Sequence, residues 1–126
     1  MAIARQTTAK LVKPLEGAIV RRYQAGAATA VGEIVSMQSD GYVDPANTTS
    51  AAQKVVGISL DAATAAAQWI DVVVFGPVTA ITGGTPGAIL HASDTAGEPA
   101  ESAGTNAGVA GFVESATIAF VRPEVA

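Results

Sequence analysis

Short runs of Val, Ile and Leu, each closed within a few residues by Gly, Pro, Asn or Asp, recur along this chain, and no segment sustains a 3.6-residue apolar period. Punctuation this frequent rules out long helices and leaves an all-β class. Candidate strands fall at Gly17–Tyr23, Glu33–Gln38, Val55–Leu60, Trp69–Phe75, Val78–Thr82, Ala88–Ala92, Val109–Val113 and Thr117–Arg122. At 126 residues the chain suits one domain. The expected fold is a small β-barrel or sandwich of about eight short strands, with at most one short helix and an extended N-terminal arm. Asp61–Gln68, Ala-rich and led by Asp61, is the one stretch with helix propensity, and at that length it predicts a short helix or an ordered loop.

Local signals sharpen the picture. Ser39-Asp40-Gly41 predicts a tight turn into Tyr42-Val43, because Asp and Gly tolerate the positive φ such turns require. Trp69–Phe75 is apolar on both faces apart from Asp71, which suits a strand covered on both sides; Asp71 then has to meet water or a partner. Gly76-Pro77 is expected to break that run, and Asp94–Gly108, rich in small and polar residues, reads as an exposed, mobile loop.

Charge is unevenly distributed. Arg5, Lys10, Lys13, Arg21 and Arg22 lie in the first 22 positions against the single acid Glu16, whereas the remainder holds two bases against ten acids. This pattern predicts a basic arm, residues 1–16, on an acidic body, residues 17–126. Spaced charges on an acidic body disfavour nucleic acid, and docking on an acidic protein surface suits the arm better. A solvated terminus with incidental charges is the plain alternative. No stretch approaches the roughly 18 apolar residues of a membrane span, and the first residues lack a secretion-signal pattern, so a soluble protein made in a cytoplasm is expected. Asn47-Thr48-Thr49 is then plain loop sequence rather than a glycosylation site.

Reactive chemistry is sparsely provided. There is no cysteine and a single histidine, His91, within a predicted strand and without a Gly-x-Ser-x-Gly elbow in the chain. The acids lack EF-hand spacing, and Asp40, Asp44, Asp61 and Asp71 read as solvated loop acids before they read as a calcium site. Gly83–Gly87 carries neither a phosphate-loop ending nor a dinucleotide fingerprint. No catalytic residue, cofactor or metal is expected, and His91 is assigned to a surface or interface.

A repeat organises the body. Val31-Gly32-Glu33-Ile34-Val35 resembles Pro86-Gly87-Ala88-Ile89-Leu90, then Val55-Val56-Gly57-Ile58 resembles Val109-Ala110-Gly111-Phe112, and each copy closes on an apolar strand, Val72–Phe75 and Ile118–Val121. Two halves covering one another in a pseudo-symmetric barrel would explain the order. Chance likeness among Gly- and Val-rich strands is the competing explanation.

The same features, in the same order, resemble the phage capsid decoration (cement) proteins. The carriers are a polar arm, Gly32-Glu33-Ile34-Val35, Val56-Gly57-Ile58 running into Ala62-Ala63, Val72–Gly76, Gly87–Leu90 and Gly111-Phe112-Val113. Many relatives have a Gly-Glu pair where this chain has Ala67-Gln68, which leaves that turn open. The resemblance implies a non-enzymatic virion protein, often a homotrimer, that binds the major coat protein on the outside of the capsid and bridges its subunits. Arg5, Gln6, Lys10, Lys13, Arg21 and Arg22 are the expected capsid-facing residues. A β-domain of a tail or fibre protein, or a carbohydrate-binding module using the 94–108 loop, is the alternative.

Overall fold

A computed structural model of the chain describes residues 3–123. The strands are β1 (Ala4–Arg5), β2 (Ile19–Gln24), β3 (Ile34–Met37), β4 (Val43–Pro45), β5 (Val55–Ser59), β6 (Trp69–Val78), β7 (Ile81–Thr82), β8 (Ile89–Ala92), β9 (Pro99–Ala100), β10 (Val109–Val113) and β11 (Ala119–Val121). One 3-10 turn, Ala9–Leu11, is the sole helical element among the described residues, so the all-β expectation holds.

The main sheet runs β4-β3-β5-β6-β11-β10-β8-β9, every neighbour antiparallel, and β2 lies along the edge of β6 opposite β5. That order is a palindrome about the β6–β11 pair. The predicted repeat therefore appears as topology: β3, β5 and β6 are neighbours in one half as β8, β10 and β11 are in the other. The registers agree as well, Ile34 opposite Ile58 and Val35 opposite Gly57 in the first half, Ile89 opposite Phe112 and Leu90 opposite Gly111 in the second. Matched glycines have a common cause. A methyl added at Gly57 would run into the carbonyl oxygen of Val73 on β6, and one at Gly111 into that of Phe120 on β11.

The sheet curls into a half-barrel whose two ends are fastened through loops. Ile34 N–H donates to the Gly97 carbonyl at 3.0 Å, Gly97 N–H to Ala46 at 2.8 Å, and Thr48 N–H to Ser93 at 3.0 Å. Inside the curl lies the main core, including Ile34, Ile58, Val73, Leu90, Val113 and Val121. A second, smaller core sits on the opposite face of the first half, where Val35, Val43, Ile70 and Val72 are capped by Ala25 and Ala63 from two loops.

Three expectations need correction, and one that was left open is resolved. Residues 3–16 are laid along the body rather than held away from it. Ala4–Arg5 pairs with β7, Val12 is buried in the main core, Pro14 bridges to Val78, and the Arg5 Nε–H donates to Glu98 at 2.7 Å. Gly76-Pro77 does not end the strand. Gly76 takes φ +104 where Ala18 crosses it closely, and Pro77, lacking a donor, still offers its carbonyl to Leu15 N–H at 2.9 Å. Of the two readings of Asp61–Gln68, a short helix or an ordered loop, the loop is the one that forms. Asp61 accepts from the Asp71 N–H at 2.8 Å instead of capping, and Gln68 accepts from Thr64 N–H. The 94–108 segment is exposed in part but tied down, with Asp94 accepting from the buried Thr48 hydroxyl and from the hydroxyl of Thr105, both at 2.6 Å. Those bonds, Thr105 first and Thr48 next, hold the Asp94 carboxyl below the ordinary carboxylate range. The Ser39–Gly41 turn forms as expected, with Gly41 at φ +87 and Asp40 accepting from Tyr42 N–H at 2.9 Å.

Candidate interaction surface

The largest side chains of this protein are not in its core. All three phenylalanines of the chain, Phe75, Phe112 and Phe120, stand on the outer face of the sheet. They form one continuous row. Ile89 on β8 lies opposite Phe112 on β10, the Phe112 and Phe120 rings stack at 4.9 Å, and Phe120 meets Phe75 edge-on at 5.3 Å. Phe75 in turn lies opposite Ile19 on β2. Edge-on and offset aromatic pairs of this kind rigidify one another, so the row is an ordered surface rather than a set of loose side chains.

Local sequence explains the outward placement. In Ala110-Gly111-Phe112-Val113, Ala110 and Val113 are fully buried, and the glycine between them is held against β11. The large residue that remains has only the outer face available. The row is therefore what the core leaves over, and it is bare: Ile89 is 55% exposed and Phe112 38%. Isolated exposed apolar residues are ordinary, whereas these five form one contiguous row that crosses five strands.

Cations border the row on the β2 side. Arg22 lies on the same face as Asp71, 3.4 Å away, with its guanidinium 6.0 Å from the Trp69 ring; Arg21 points to the other face, 5.8 Å from the Tyr23 ring. Arg22 and Trp69 are both solvent-exposed, so these contacts orient the guanidinium more than they neutralise it. At the other end of the row, Ile89 and Phe112 share a shallow hollow with His91 and Arg122. His91 is half-buried, and its Nδ1 has no hydrogen-bond partner among the described residues.

The six residues expected to face a capsid separate into two groups. Arg5 is withdrawn into the body, donating to Glu98 and, at 2.8 Å, to the Val31 carbonyl, and Gln6 N–H bonds the Ala80 carbonyl at 2.8 Å. Lys10, Lys13, Arg21 and Arg22 are exposed. Near Arg5, burial pushes the Glu33 carboxyl up from its ordinary value, the Ala30 N–H and Arg5 counteract it, and Glu98 adds to it. This cluster holds the two ends of the curl together and offers no open site. Among the described residues, no three metal-ligating side chains converge. No protein-family model, curated protein or solved structure matches this chain.

Proposed function

We propose that this protein is a structural component of a phage virion that decorates the outer surface of the capsid and stabilises it by bridging coat subunits. The observation that carries the reading is the bare row of Ile19, Phe75, Phe120, Phe112 and Ile89 beside an arginine-bearing edge strand. The family resemblance described above supplies the biological setting.

The two surfaces suit two partners. A contiguous, exposed apolar row resembles the core of an interface between like subunits, which is richer in apolar area and poorer in charge than the rest of a surface. Copies associate through it, as a homotrimer in the resemblance. The exposed cations Lys10, Lys13, Arg21 and Arg22 face the coat protein and set register and association rate. Individually weak contacts become firm binding when several copies engage one lattice.

Co-sedimentation of the full chain with undecorated mature shells tests this, with bound copies counted per coat subunit. Saturation at a fixed, symmetry-related ratio is expected. Absence of binding, or binding that rises without a plateau, contradicts the assignment.

A further inference from the structure

The outer edge of β2 is open. Among the described residues β2 pairs with β6 alone, and the one further β-bridge of its run is Ala25–Val43, just past its end. Ile19, Val20, Arg21 and Arg22 are all exposed, although a strand inside a sheet would hide alternate residues. Val20 lies opposite Val73 of the main core yet remains exposed, so the core ends uncovered at this edge.

We infer that the open edge of β2 accepts an extended segment of a partner protein that carries two adjacent carboxylates followed or preceded by two apolar residues. The pattern follows from facing. An added strand would meet Arg22 on one face, Arg21 on the other, then Val20 and Ile19. Opposite charges placed directly across a strand pair attract, and like charges repel. An antiparallel partner therefore reads acid-acid-apolar-apolar, and a parallel one the reverse.

A second copy of this chain does not fit. Two β2 strands pairing antiparallel about their centre would set Arg21 against Arg22 of the other copy. Nor does the chain hold the required pattern elsewhere, since none of its eleven acids is adjacent to another. Charges on an exposed edge are also a device that keeps it from pairing with itself, and the same arginines select an acidic strand. On the proposed function this segment belongs to the coat protein, an assignment that rests on that reading; the edge and its chemistry do not.

A fluorescein-labelled decapeptide with a central Glu-Asp-Val-Ile, titrated into the full-length protein and read by anisotropy, tests the edge. Saturable binding is expected. Charge reversal in Arg21→Glu/Arg22→Glu should weaken it roughly tenfold or more, and N-methylation of alternate amides in the peptide should abolish it. Equal binding of the N-methylated peptide would overturn strand addition in favour of charge alone, and no binding of either peptide would overturn the site. Circular dichroism of the double variant establishes that it is folded. Shell co-sedimentation separates the two claims. Shells that bind wild type and the double variant equally refute the assignment of the edge to the coat while leaving decoration intact. Peptide binding without shell binding refutes the capsid reading while leaving the edge intact.

Discussion

Two rows of side chains occupy matching places in the two halves of the sheet and meet opposite fates. In the first half Ile34, Ile58 and Val73 lie side by side across β3, β5 and β6 and are sealed in the main core; Ile34 and Ile58 are each 1% exposed. In the second half Ile89, Phe112 and Phe120 lie side by side across β8, β10 and β11 and face outward. The residues beside them reverse too: Val35 fills the small outer core of its half, whereas Leu90 fills the main core. The first half covers its outer face with its own loops, through Ala25 and Ala63, and the described part of the second half has no such cap. One half is finished by its own chain. On the proposed function, the other is finished by a partner.

That contrast can be broken most sharply at its two ends. Ile58→Ala opens a cavity in a sealed site and is expected to destabilise by about 2–5 kcal/mol in urea melts. Phe112→Ala, its counterpart, should cost only about 0.5–1.5 kcal/mol, from lost ring stacking. Equal costs would mean that the outer row is structural. Gly57→Ala and Gly111→Ala test the shared part of the two halves, because each methyl meets the carbonyl oxygen of a neighbouring strand. Both are expected to destabilise by about 1–3 kcal/mol or more and to similar extents, and a large disparity would weaken the equivalence.

Smaller effects probe the seam where the halves meet. Arg5→Ala removes a half-buried ion pair and a bond to the Val31 carbonyl, and should cost about 1–2 kcal/mol. Glu33 gives the smallest effect and a pH signature. Its carboxyl titrates above the ordinary value of 4.5, so its contribution is fully present below that value and is lost as pH rises through the raised one. Glu33→Gln should therefore raise the melting temperature at neutral pH and leave it nearly unchanged below pH 4.5, a difference read by calorimetry at the two pH values.

Most of the strands were legible in the sequence, and so was their repeated order. Apolar runs bounded by Gly and Asp mark strand positions, and Gly57 and Gly111 fall in matched runs because both sit where backbones approach closely. Facing was not legible. The ladders shift register between Ile19 and Val20, between Val35 and Ser36, and between Val109 and Gly111. An extra residue at such a point turns every following side chain to the other face, so alternation counted along the sequence loses its reference. For the same reason Ile34 and Ile89, equivalent by position, cannot be separated into core and surface from sequence alone. The N-terminal segment was misjudged through its charges. Its spaced basic residues suggested an extended arm, whereas Val12 anchors it in the core and Arg5 finds Glu98, a partner 93 positions away that no local pattern announces. Of the candidate surface, Arg21 and Arg22 were singled out in the sequence, but the phenylalanine row was missed. Its signal was the smallness of Ala110 and Ala119, which leaves the neighbouring Phe112 and Phe120 no inward place.

The central claim is that the outer row of the second half is an interface between copies. Sedimentation equilibrium of the wild-type protein and of Phe112→Ser/Phe120→Ser, each across a hundredfold range of concentration, tests it directly. A wild-type oligomer, trimeric in the expected case, and a variant that sediments as a monomer with an unchanged circular dichroism spectrum are predicted. A monomeric wild type, or a variant that stays oligomeric, would contradict the account.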